Sequence, residues 1–83
     1  MDKRVELSEA AYQSLLRHPF ITEERITSWV LQTPESERNY TDEEHFDIRP
    51  RTRKGCHVLE ILILVHEQSI TYLVYGIHTI NLK

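Results

Sequence analysis

The 83 residues suffice for one domain with a thin core, and 40% hydrophobic with 28% charged content excludes a wholly disordered chain. Two glycines and three prolines exclude a linker or low-complexity protein, and a single cysteine excludes an internal disulfide. The net charge of −3 excludes a uniformly basic surface for nucleic acid.

Charge is unevenly spread. Residues 1–47 hold 5 Lys/Arg against 11 Asp/Glu, whereas residues 48–83 hold 5 against 2. Only the second half suits phosphate. Cys56 fits a reducing compartment. Met1 to Glu6 carries basic residues without an apolar stretch behind them, unlike a secretory leader. The longest apolar run, residues 61–65, is far too short to cross a bilayer. The expectation is a soluble cytoplasmic protein with no membrane contact.

Val5 and Leu7 alternate with polar neighbours, which suits a short strand or an extended lead-in. Ser8 is an N-cap, and Glu9 favours the positive end of a helix. Ala11, Tyr12, Leu15 and Leu16 form one apolar stripe on a helix over 9–17. His18 precedes Pro19, which ends it. Thr22 caps a second helix, Glu23 and Glu24 fill its first turn, and Ile26, Trp29 and Val30 face the core. Pro34 closes that helix. Residues 35–44 read as a solvated acidic loop with only Tyr40 to bury.

Phe46 and Ile48 share one face of a short strand over 45–49. Arg51 to Gly55 reads as a basic turn or loop. Cys56 to His66 is the strongest strand signal, with Leu59, Ile61, Ile63 and Val65 on one face and a mixed opposite face. Residues 67–69 are a turn, and 70–77 a second strong strand in which Gly76 marks a bulge or a close backbone approach. Residues 78–83 are a tail. The result is an α+β domain spanning 1–83: two N-terminal helices on a three- to four-stranded antiparallel sheet.

Candidate chemistry concentrates in the second half. If the chain is extended there, Arg49, Arg51 and Arg53 line one side and suit bidentate phosphate contacts, with Lys54 adjacent. The competing reading is a solvated basic loop balancing Asp42, Glu43, Glu44 and Asp47. A hairpin turning at 67–69 brings His57 towards His78, a pair suited to proton transfer or to two metal ligands. No third ligand has the right spacing, so no metal site and no cofactor are expected. Structural or surface histidines are the simpler reading. Tyr72 and Tyr75 fall on opposite faces, one for packing and one exposed. Cys56 lies beside the basic segment without an identifiable catalytic base.

The order of elements resembles the RelE/ParE-like toxin superfamily, including its BrnT-like branch. The resemblance rests on Val5-Glu6-Leu7-Ser8, on His18-Pro19-Phe20-Ile21-Thr22-Glu23-Glu24-Arg25-Ile26, on Pro34, and on the hairpin of 58–65 with 70–77. It implies a β-α-α-β-β-β fold and a toxin of a toxin–antitoxin module that cleaves messenger RNA, often at the ribosome. By position it implies a catalytic set of Arg49, Arg51, Arg53, Tyr75 and His78, with Lys54 joining the arginines on RNA phosphate. The implied partners are an antitoxin protein and RNA or the ribosome, with a homo-oligomer left open. The acidic balance departs from the usually basic toxins. That departure favours the alternative, a non-catalytic protein-interaction module or a degenerate member of the fold.

Overall fold

The computed structural model describes residues 3–82. The chain enters as strand β1 (Arg4–Leu7), followed by helices α1 (Glu9–Leu16) and α2 (Glu23–Gln32). Both helices begin as their sequences dictate. Ser8 Oγ accepts from the Ala11 N–H at 3.2 Å, and Thr22 Oγ1 accepts from the Arg25 N–H at 3.1 Å. A short 3-10 turn (Glu35–Glu37) then leads into strands β2 (Asn39–Tyr40), β3 (His45–Ile48), β4 (Arg51–Lys54), β5 (His57–Glu67) and β6 (Thr71–Asn81).

The sheet has six strands in the order β1-β6-β5-β3-β2, with β4 also paired to β5. The expected three- to four-stranded antiparallel sheet is therefore too small and too uniform. Val5 and Leu7 form a true strand that runs parallel to β6, opposite Tyr72 and Val74. The two helices supply the crossover that a parallel neighbour requires. The acidic stretch supplies the 3-10 turn and β2 rather than a plain loop, with Asn39 opposite Asp47.

The basic segment is likewise a strand. The β3 register (Ile48 opposite Ile63) continues unbroken into β4 (Arg51 opposite Glu60). Between them Pro50 lacks an N–H, yet its carbonyl accepts from the Ile61 N–H at 2.8 Å. The turn comes later, at Gly55, with φ +62°. A Cβ there meets nothing within 4 Å, so only backbone strain opposes substitution. Gly55→Ala is expected to cost about 1–2 kcal/mol, read as a lowered thermal midpoint.

β6 runs to Asn81, so most of the expected tail is sheet. A bulge interrupts its pairing with β5: Gly76 lies opposite Leu64 but Val74 opposite Val65, leaving Tyr75 as the extra residue. Gly76 also makes a close approach, because a Cβ there would lie 2.8 Å from Leu64 Cδ1.

The core lies between the helices and one face of the sheet. Ala11, Leu15, Ile26 and Val30 from the helices meet Phe46, Ile48, Ile61, Ile63, Val65, Val74 and Ile77. Two apolar residues assigned to the stripe of α1, Tyr12 and Leu16, are exposed instead. Eight residues make only about two turns, so just one edge of the stripe reaches the sheet. Trp29 is half-buried at the core margin, where the Arg25 guanidinium lies 4.6 Å from its ring centroid.

Candidate functional site

Successive residues of a strand point to opposite faces, so the core strands also define a second face. On β5 this face carries Val58, Glu60, Leu62, Leu64 and His66. The paired strands add His45, Asp47, Arg51 and Arg53 on one side, and Leu73, His78 and Ile80 on the other. The helix contacts run instead to β1 and β6 through the core side.

The arginine triplet belongs to this face. Continuing the register between β3 and β4 puts Arg49 beside Leu62, whose partner on β6 is His78. In the next row Arg51 lies opposite Glu60 and Glu60 opposite Ile80, and beyond it Arg53 lies opposite Val58. Rows on one face are about 6.6 Å apart along a strand. Arg49, Arg51, Arg53 and His78 thus share one surface, assembled from three strands.

That surface is not purely basic. Glu60 reaches both neighbours, with Oε1 3.9 Å from Arg49 Nη1 and Oε2 3.8 Å from Arg51 Nε. Arg49 Nε also lies 3.5 Å from Asp47 Oδ1. That separation is an ion-pair contact only, because Asp47 Oδ1 is buried without a hydrogen-bond donor. Asp47 Oδ2 accepts from Asn39 Nδ2 at 3.2 Å. Glu60, which by alternation is one residue of the mixed face of β5, is central to the arginine cluster.

Three other candidates are placed differently. Lys54 turns to the helix side, where its Nζ lies 4.8 Å from the Phe20 ring centroid, so it does not extend the arginine row. His57 pairs with Lys54, and the two border a concavity with His18 and Phe20. The expected approach of His57 and His78 therefore fails. The turn lies at residues 68–70, and β6 is set so that His78 meets Leu62. Cys56 is exposed in the β4–β5 turn.

Tyr72 and Tyr75 do take opposite sides. Tyr75 is exposed and sets its ring edge against His45, with centroids 5.9 Å apart. His45 in turn stacks on His66, its cross-strand partner. The sequence places His45 only at the start of a short strand, and Asp42 only among the carboxylates that balance the basic segment. Their signal was the β3–β5 register, which no local pattern encodes. Asp42 Oδ1 accepts from the backbone N–H groups of Glu44 and His45, both at 2.8 Å, and lies 3.0 Å from His45 Nδ1. The Glu44 N–H bond, followed by the imidazole, holds the Asp42 carboxyl below its usual range.

Tyr72 joins a polar network on the core side. Tyr40 Oη donates to Glu67 Oε1 at 2.8 Å, and Lys3 Nζ donates to Glu67 Oε2 at 2.8 Å. Arg38 donates to both tyrosine hydroxyls, at 3.4 and 3.3 Å. The Lys3 bond, against the cost of burial, holds the Glu67 carboxyl below its usual range. A lowered carboxyl pKa contributes stability above the unfolded value, lost as pH falls through the folded one. Glu67→Gln is expected to cost about 1–3 kcal/mol at neutral pH. It should also flatten the loss of stability below about pH 4, read by urea denaturation across pH.

Neither a family model, nor a curated protein, nor a solved structure matches the chain. Among the described residues no helix is long and apolar enough to cross a membrane. No group of three or more His, Cys, Asp or Glu among them is arranged to hold a metal ion.

Proposed function

We propose that the chain is a RelE-like toxin-type domain, with five strands rather than three after its two helices, that acts on RNA through the sheet face opposite the helices. The observation that carries this reading is the grouping of Arg49, Arg51, Arg53 and His78 on that face, with Tyr75 further along it against His45. Arginine forks suit phosphate oxygens, and three at alternate positions match an extended backbone. The reaction is attack of a ribose 2′-oxygen on the adjacent phosphorus. The bond from phosphorus to the 5′-oxygen breaks, leaving a 2′,3′-cyclic phosphate and a 5′-hydroxyl.

Each group has a role in that step. Arg49 and Arg51 stabilise charge on the pentavalent phosphorus. Glu60, held between them, takes the 2′-hydroxyl proton, and His78 serves as the general acid that gives one to the leaving 5′-oxygen. Arg53 binds a flanking phosphate. Tyr75 lies towards the His45 end, where a flanking base can stack on it. The partners on this reading are RNA or the ribosome, and an antitoxin protein covering the same face.

Induced expression of the full chain tests the proposal. Growth arrest relieved by joint replacement of Arg49, Arg51 and Arg53 with alanine is the expected result. Unimpaired growth and intact RNA at high expression would count against it.

A second reading has its own support. Glu60 and Asp47 already offset Arg49 and Arg51, and Leu62, Leu64, Leu73 and Ile80 occupy the middle of the face. A non-catalytic protein-interaction module would use those apolar groups. A stable protein complex insensitive to the arginine replacements would favour it.

A further inference from the structure

We propose that the concavity bounded by Lys54, His57 and the loop joining the two helices binds a small phosphomonoester that carries a flat apolar group. It lies on the helix side of the sheet, and the proposal is independent of any action on RNA.

The register brings its groups together. Lys54 is directly opposite His57 on antiparallel β4 and β5. His57 is two residues before Leu59, so it shares the core face of β5. In the next row Leu59 stands opposite Asn81, and in the row after it Ile61 stands opposite Thr79. The helices do not cover this end of the face, because α1 stops at Leu16 and α2 begins at Glu23. The loop between them brings His18 and Phe20 over the strand ends instead. A cavity of about 640 Å³ results, with Leu59 as an apolar wall. That volume lies within the range of small-molecule sites.

The cavity is basic. Lys54, His18 and His57 line it together with Thr79 and Asn81, and no carboxylate among the described residues does. Concavities elsewhere, one beside Glu37 and Asp47 and one between Glu23 and Glu24, are acidic. Glu60 offsets Arg49 and Arg51 on the opposite face, whereas Lys54 meets no carboxylate among the described residues. Its Nζ lies 4.8 Å from the Phe20 ring centroid. His18 sets its own ring edge-on to Phe20, with centroids 5.9 Å apart and planes at 79°. The aromatic ring thus positions the ammonium but supplies no hydrogen-bond acceptor for its N–H groups.

A phosphate oxygen is the acceptor that suits an ammonium beside imidazoles. A monoester brings a charge of about −1.5 to −2 to these groups, more than a diester linkage does. Phosphate alone would leave most of the cavity unfilled. Phe20 and Leu59 offer apolar contact to a flat ring on the ester oxygen, and Thr79 and Asn81 supply polar contacts beside it.

The test is an amide NMR titration of phenyl phosphate into the full chain. Saturable one-to-one binding with half-saturation at or below about 1 mM is expected, with shifts centred on His18, Phe20, Lys54, His57 and Thr79. Inorganic phosphate lacks the ring and phenol lacks the anion, so each should bind at least about 10-fold more weakly. Lys54→Met keeps a long stem over Phe20 but removes the charge, and should weaken phenyl phosphate about 10–100-fold. His57→Ala should weaken it about 10-fold. Arg53→Ala removes a cation of the same strand on the opposite face, and should change affinity less than about 2-fold. Circular dichroism checks each variant, and Lys54→Gln replaces Lys54→Met if the latter fails to fold. Half-saturation above about 1 mM, wild-type affinity in the folded Lys54 variant, an equal loss in Arg53→Ala, or inorganic phosphate binding as tightly as phenyl phosphate would each overturn the proposal.

Discussion

Phe46→Ala is expected to destabilise the domain by about 3–5 kcal/mol, the usual cost of emptying a buried aromatic position. For a domain of this length the whole stability is about 4–12 kcal/mol, so the variant should be largely unfolded under mild stress. Phe46 is 1% exposed at the meeting of β3 with β5. Its ring packs on Tyr40, with centroids 5.0 Å apart, and on Tyr72, at 6.1 Å. The Arg38 guanidinium sits 4.8 Å from its centroid, with Nε buried and lacking a hydrogen-bond partner. Removing the ring therefore opens a cavity and also strips the cation of its aromatic support. Urea denaturation should show a lower midpoint, while Leu16→Ala, at a 60% exposed position, shifts stability by less than about 0.5 kcal/mol. A Phe46→Ala midpoint close to the parent's would contradict this account of the core.

Joint replacement of Arg49, Arg51 and Arg53 by alanine should lower affinity for single-stranded RNA about 100-fold at low salt, with the slope of log affinity against log salt falling by about 2. Three lost phosphate contacts set that slope change. The affinity loss is compounded by Glu60 and Asp47, which the replacements leave facing the RNA without their cations. Fluorescence anisotropy at several salt concentrations measures both quantities. Arg-to-Lys versions keep the charge and most of the slope but lose the bidentate fork, so binding should survive where cleavage does not. Equal affinity in the parent and the alanine variant would remove the arginines from RNA recognition.

Local rules carried much of the fold. Ser8 and Thr22 cap the helices because their hydroxyls reach nearby backbone N–H groups, a contact written within three residues. Alternation from Leu59 to Val65 fixed the core face of β5. What escaped depends on distant pairing. Val5 to Leu7 is too short to show whether it pairs, and its parallel partner is more than sixty residues away. Arg51 to Lys54 is too polar to signal a strand, because its order comes from the register inherited through Pro50. The same limit applied to the site. Arg49, Arg51 and Arg53 could be placed on one side by period alone, and Tyr72 and Tyr75 on opposite sides. Glu60 between the arginines and His45 against His66 required the cross-strand register. His57 and His78 were misplaced because the turn fell at residues 68–70 and the β6 bulge moved the pairing again.

The proposed function is cleavage of RNA, by way of the 2′-hydroxyl, on the sheet face opposite the helices. Its most direct measurement follows 5′-labelled messenger RNA incubated with the purified full chain, both free and in a translation extract. The account predicts shortened RNA ending in a 2′,3′-cyclic phosphate, with cleavage abolished by a 2′-deoxy nucleotide at the cut position and by His78→Ala. Intact RNA in both settings, from protein shown to be folded, would contradict it.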